Sequence, residues 1–157
     1  MTIDPHARTK VMIADNDAMI RNVLRSLLTR LGLVLIAVGD ADDVMRSATP
    51  DISLFLLDLD MPGGGGLAAC RSLRASPVFR TVPIAILTGY DSHPQRQRCY
   101  ESGATLFLTK PFNPAELLGA LSPHLPLDAG ASAELDRMRA ADRGLRLQDT
   151  AIARTAA

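Results

Sequence analysis

A doubly wound parallel sheet of five strands, ordered 2-1-3-4-5 with helices on both faces, is the fold this sequence predicts. Three observations predict it. Five short apolar runs alternate with helix-like stretches along the chain, the pattern of strand–helix–strand units joined by right-handed crossovers. Each run is brief and followed by a turn or loop signal, as fully buried strands are. Acidic, hydroxyl and lysine residues stand just beyond the runs, where open parallel sheets place their ligands.

The strands are expected at Val11–Ala14, Leu33–Val38, Leu54–Leu57, Pro83–Leu87 and Thr105–Leu108. Helices are expected at Ala18–Leu31, Asp42–Ala48, Gly66–Ala75, Gln95–Ser102 and Pro114–Leu121. In the first helix Ile20, Val23, Leu24, Leu27, Leu28 and Leu31 fall at i, i+3 and i+4 spacing, with Arg21, Arg25 and Arg30 on other faces. The last opens on Asn113, Pro114 and Glu116, an N-cap with Pro at N1 and Glu at N3. Gly119 inside it costs about 1 kcal/mol relative to Ala, so this helix depends on packing. Strand 1 should be central, next to strand 3, because the winding direction switches between them.

This unit is expected to run from residue 8 to 124, with residues 125–157 a linker and tail. Ser122 to Pro126 breaks the last helix, and Asp128–Ser132 has linker composition. Residues 133–147 can form one more helix, with Leu135, Met138 and Leu145 along one stripe and Glu134/Arg137 at helical pair spacing. A frayed tail and a helix that packs on a partner are both open.

Bulk properties exclude several functions. Of 157 residues, 17 are basic and 17 acidic, so no global field draws nucleic acid or anionic membrane. Trp is absent and aromatics are 4%, which argues against a base-stacking platform. The start of the chain has no apolar stretch of signal-peptide type, and the run from Leu31 to Val38 is too short to cross a bilayer. Cys70 and Cys99 lie in no recognisable motif and read as reduced, buried thiols. A cytoplasmic protein is expected.

The polar residues after the strands carry the chemistry. Asp15, Asn16 and Asp17 follow strand 1; Asp58 and Asp60 follow strand 3; Thr88 and Gly89 follow strand 4; Lys110 and Pro111 follow strand 5. In a parallel sheet these ends share one edge, so residues almost a hundred positions apart converge. A buried carboxylate such as Asp58 is costly without a partner. Asp15 and Asp58 offer the hard oxygens that Mg²⁺ prefers. Asp58 could attack phosphorus to form an aspartyl phosphate, Lys110 would neutralise the phosphoryl oxygens, and the Thr88 hydroxyl would donate to one of them. Gly89 leaves open space beside that hydroxyl.

With these motifs in order, the chain resembles a response-regulator receiver domain of bacterial two-component signalling, with its flavodoxin-like strand order. The resemblance covers residues about 8 to 124. It rests on the acidic turn at Asp15, on Leu56-Leu57-Asp58-Leu59-Asp60-Met61-Pro62-Gly63, on Leu87-Thr88-Gly89, on Glu101 to Ala104, and on Thr109-Lys110-Pro111-Phe112. The resemblance implies Asp58 as phosphoacceptor, Thr88 as switch hydroxyl, Lys110 as phosphoryl-binding lysine and Phe107 as aromatic switch residue. It further implies a cis Lys110–Pro111 peptide, and Mg²⁺ held by Asp15, Asn16, Asp58 and the backbone carbonyl of Asp60. Asn16 departs from the family, which usually has a second acid at that position. The site then lacks one negative charge and should bind Mg²⁺ more weakly, unless Asp17 or Asp60 offsets the loss. Asp17 reads better as the cap of the first helix. The Asp60 side chain would face the crevice if the strand stays extended.

Other features point elsewhere less well. Gly63–Gly66 lacks the Lys-Ser/Thr of a P-loop and reads as a flexible loop. His6, His93 and His124 have no ligand or triad spacing and read as surface residues. Arg96 and Arg98 read as a solvated helix face, or with Tyr100 and Phe107 as a partner surface.

The leading expectation is a phosphorylation-dependent switch, not a dedicated enzyme. A histidine kinase or histidine phosphotransfer protein would be the donor and another protein the target, with homodimerisation open. The 36 residues after Leu121 are too few for a DNA-reading output domain, so neither nucleic acid nor membrane is an expected direct partner; a longer chain leading into such a domain stays open. The alternatives are a haloacid-dehalogenase-like phosphatase using Asp58 and Asp60, and a degenerate receiver acting as a binding module.

Overall fold

Five strands form one parallel sheet in the order β2-β1-β3-β4-β5. They are β1 (Lys10–Ala14), β2 (Val34–Val38), β3 (Ile52–Asp58), β4 (Ile84–Thr88) and β5 (Leu106–Thr109). The structure is a computed structural model that describes the backbone of residues 8–155 and the side chains of residues 8–144. All four strand pairings are parallel, with Ala14 opposite Leu57 and Val38, and Thr88 opposite Thr109. The predicted fold class and strand order are therefore found.

The helices are α1 (Ala18–Thr29), α2 (Ala41–Ser47), α3 (Gly65–Ala75), α4 (His93–Glu101), α5 (Pro114–Leu121) and α6 (Ala129–Thr155). Pleating sorts the β1 side chains between two cores. Val11 and Ile13 pack with Leu24 and Leu28 of α1, Leu117 and Leu121 of α5, and Leu135 of α6. Met12 and Ala14 pack with Val44 of α2, Cys70 and Leu73 of α3, and Cys99 of α4. Both cysteines are fully buried and unpaired, and burial pushes the Cys70 thiol up to about 11, so it stays protonated.

Local chemistry sets the boundaries. Asp17 caps α1 by accepting from Met19 N–H, Asp40 caps α2, and Asn113 caps α5 by accepting from Ala115 and Glu116 N–H. β3 runs two residues earlier than expected, because the register shifts between Lys10 and Val11 and lets Ile52 pair. α4 starts earlier than expected as well, because Ser92 accepts from Gln95 N–H and Pro94 fits the first turn.

Three regions differ from expectation. Gly63–Gly66 is a packed turn rather than a flexible loop: Gly63, Gly64 and Gly65 all have positive φ. A Cβ on Gly66 would lie 2.6 Å from the Asp58 carbonyl oxygen, so the start of α3 sits directly against the end of β3. α6 begins at Ala129, inside the stretch with linker composition, because Asp128 accepts from Ala131 N–H. That helix returns to its own chain: Ala131 and Leu135 are buried, Arg30 pairs with Glu134 at 2.7 Å, and Asn113 donates to Asp142 at 2.8 Å. Gly119 is explained by this packing, since a Cβ there would lie 2.6 Å from Arg139 Nη2. His93 is exposed and His124 half-buried; His6, and the side chain of Leu145, lie outside the described residues.

Candidate functional site

The carboxyl edge of the sheet gathers the predicted residues. Asp15 follows β1, Asp58 ends β3, Thr88 ends β4 and Lys110 follows β5. Asp15 and Thr88 are fully buried and Asp58 is 4% exposed. Lys110 spans the two acids: its Nζ lies 2.7 Å from Asp15 Oδ2 and 3.3 Å from Asp58 Oδ1. The Lys110–Pro111 peptide is cis, as expected.

Backbone groups fix both carboxylates. Asp17 N–H donates to Asp15 Oδ1 at 2.9 Å, and Asp60 N–H donates to Asp58 Oδ1 at 3.3 Å. Burial pushes the Asp58 carboxyl above its ordinary value, and the Asp15 charge adds to this. Lys110, with the Asp60 N–H, pulls the other way without reversing it. Burial would lower the Lys110 ammonium, but its hydrogen bond to Asp15 and the two carboxylate charges outweigh that and raise it.

The remaining predicted residues are less uniformly placed. Asn16 is exposed on the rim. Asp60 is exposed too: β3 ends at Asp58 and the chain bends there, so the extended geometry that would aim both side chains into the crevice does not continue. Asp17 is occupied as the α1 cap. Thr88 Oγ1 accepts from Tyr90 N–H at 3.1 Å and from Gln95 Nε2 at 3.1 Å, and donates to the Tyr90 carbonyl at 3.3 Å. Phe107 is half-buried, with the Arg96 guanidinium 5.2 Å from its ring centre. A Cβ at Gly89 would meet nothing within 4 Å, so space is open there.

Sequence reasoning missed two neighbours. Arg21, assigned only to another face of α1, donates to the Asp15 carbonyl at 2.6 Å and braces the acidic turn. Gln95 reaches Thr88 from the first turn of α4. No spacing rule marks either, because each contact depends on how a loop returns its helix to the sheet edge.

The donor set suits a hard dication. Two carboxylates on neighbouring strands already converge on one cationic nitrogen, and their oxygens match the ligand preference of Mg²⁺. Among the described residues no three His, Cys, Asp or Glu gather as a metal group. Such an ion would therefore draw its remaining protein ligands from neutral oxygens.

A parallel α/β fold with two buried acids, a threonine and a lysine at its carboxyl edge defines a class of phosphoryl-handling proteins. The same fold is found in chemotaxis protein CheY4 of Vibrio cholerae, which is 28% identical with a TM-score of 0.71 over 76% of this chain and 100% of that one. The receiver domain of sensor histidine kinase PA1611 of Pseudomonas aeruginosa is 28% identical, with a TM-score of 0.68 over 74% of this chain and 97% of that one. Its structure has a magnesium ion coordinated in the active-site cleft. The family model for the response regulator receiver domain matches residues 11–122, and the chain belongs to that family, which serves two-component signalling. PilG of Pseudomonas aeruginosa is 30% identical over 118 residues, 74% of this chain and 87% of that protein. The chain spans about half the length of curated relatives such as ResD of Bacillus subtilis, 31% identical over 117 residues, 74% of this chain and 48% of that protein. The comparisons do not favour the phosphatase reading. Among the described residues no helix is long and apolar enough to cross a membrane.

Proposed function

We propose that the protein is a cytoplasmic signalling switch that accepts a phosphoryl group on Asp58 from a histidine kinase or histidine phosphotransfer protein. The observation that carries this is the Lys110 ammonium shared by Asp15 and Asp58 at a buried edge. In the transfer, an Asp58 carboxylate oxygen forms a bond to phosphorus while the bond from phosphorus to the donor nitrogen breaks, and the electron pair leaves with that nitrogen. Lys110 offsets the negative charge of the transferring oxygens. Asp15, Asp58, the Asn16 amide oxygen and the Asp60 carbonyl would hold Mg²⁺. When bound, that ion neutralises phosphoryl charge beyond what Lys110 can. Thr88 then gives its proton to a phosphoryl oxygen and Phe107 turns inward, so that output passes through contacts with another protein or a second copy of the chain.

Acetyl phosphate or a purified kinase with Mg²⁺ should label the wild-type chain, and Asp58→Ala should fall to background. Labelling that survives Asp58→Ala would sink the assignment. An absence of Mg²⁺-dependent labelling in wild type would favour the binding-module alternative.

A further inference from the structure

Thr88 and Phe107 stand on different strands, yet consecutive residues of α4 hold both. Gln95 Nε2 donates to Thr88 Oγ1 at 3.1 Å, and the Arg96 guanidinium lies 5.2 Å from the Phe107 ring centre. Arg96 is itself fixed by a two-pronged pair with Asp91, its Nε at 2.7 Å from Asp91 Oδ1 and its Nη2 on Oδ2. Ser92 between them caps the same turn.

A threonine hydroxyl has one proton and two acceptor lone pairs. Tyr90 and Gln95 occupy all three in this arrangement. Among the described residues, none of the Thr88 hydrogen bonds reaches Asp58 or Lys110. To serve a phosphoryl group on Asp58, the hydroxyl must give up the Tyr90 carbonyl and move away from the Gln95 amide. An inward turn of Phe107 likewise removes its ring from under a guanidinium that Asp91 keeps flat over it. Each contact is made in one arrangement only, so each biases the equilibrium toward that arrangement.

The helix that makes these contacts is lightly anchored. Of its nine residues only Cys99 is buried. An element with so little apolar anchoring moves at low cost, and its first turn carries both holds.

We propose that the first turn of α4 is a latch: Gln95 holds Thr88 and Arg96 holds Phe107, and together they keep the switch in its unphosphorylated arrangement. This rests on the reading of Asp58, Thr88 and Phe107 given above. Because Asp91 and Arg96 are exposed, salt weakens the Arg96 arm and leaves the Gln95 arm.

The test is NMR of the full chain, following the Thr88 methyl and the Phe107 ring, with and without beryllofluoride as a phosphoryl mimic. In the unloaded protein, Gln95→Ala and Arg96→Ala should each move both signals along the line toward the loaded wild-type positions. The switched fraction should rise by roughly threefold to tenfold, the weight of one neutral hydrogen bond. Arg96→Lys, which keeps the charge and loses the flat stack, should fall between wild type and Arg96→Ala. Gln95→Met, of similar size, replaces Gln95→Ala should that variant fail to fold. The latch is overturned if the unloaded variants superimpose on wild type, or if each moves only its own partner. The underlying reading fails separately, if beryllofluoride moves neither signal in wild type or moves both alike in Asp58→Ala.

Discussion

The carboxyl edge has two halves that differ in what restrains them. The acid half, Asp15, Asp58 and Lys110, is assembled and buried, with its charges already paired. The switch half, Thr88 and Phe107, is tied to α4 and points its bonds away from the acids. Unfavourable energy in the first half is electrostatic, since two buried carboxylates share one ammonium. In the second half the restraint is conformational, a set of weak contacts from a lightly anchored helix. Such a division lets the chemistry be ready before the response is.

Removing Lys110 tests the electrostatic half most severely. Lys110→Met leaves both acids without their cation and should lower stability by about 2–4 kcal/mol at neutral pH, the scale for breaking a largely buried pair. Denaturant unfolding at several pH values checks this. The loss should shrink on acidification, because Asp58 can take up a proton. In wild type the Lys110 ammonium is raised above its ordinary 10.5. Its contribution is therefore complete below pH 10.5 and lost only as pH climbs through the raised value. A loss that is small and independent of pH would mean that the ammonium does not hold the cluster together.

Asp58→Asn should act in the opposite direction and more weakly. The Asp58 carboxyl is raised above 3.8 by burial and by Asp15, so the native protein binds this proton more tightly than the unfolded chain. Its ionisation therefore penalises the fold. The penalty is absent below pH 3.8, grows as pH rises toward the raised native value, and is constant above it. The variant should be more stable than wild type by about 1 kcal/mol near neutrality, as is common when strained functional groups are replaced. That advantage should vanish near pH 3.5. Thermal melts at both pH values decide it, and an advantage that persisted in acid would remove the electrostatic explanation.

The acid half was also the more legible in the sequence. Asp15, Asp58, Thr88 and Lys110 each follow an apolar run directly, so knowing that the sheet is parallel is enough to bring them together. Gln95 and Arg96 could not be read this way. Their contacts depend on the path of residues 89–92 and on rotamers of long polar side chains, which carry no period. α6 was hidden for a related reason: its apolar stripe is short, and the packing that holds it is spread over Arg30, Asn113 and Gly119. The glycine run was misread as flexible because close approach to the Asp58 backbone is a tertiary fact.

Asn16 offers the finest test of the acid half. A chain with a second acid at this position would bring three carboxyl groups to the edge, and the two residues that could replace the missing charge do not converge on the site. Asp17 spends its carboxylate on the Met19 N–H as the α1 cap, and Asp60 is exposed beyond the bend after β3. Asn16→Asp should therefore raise Mg²⁺ affinity by about three- to tenfold, the modest gain expected of one charge at a solvated rim. Titration followed by backbone amide shifts around Asp15 and Asp58 would read the change directly. Without Mg²⁺ the same substitution should slightly lower stability, because a third carboxylate adds repulsion that Lys110 alone must offset. Equal affinity in the two proteins would show that the site does not lack the charge, and would require Asp17 or Asp60 to move in when the ion binds. The double variant Asn16→Asp/Asp60→Asn separates those cases: if Asp60 is the compensating acid its removal cancels the gain, and if it stays outside the gain is unchanged.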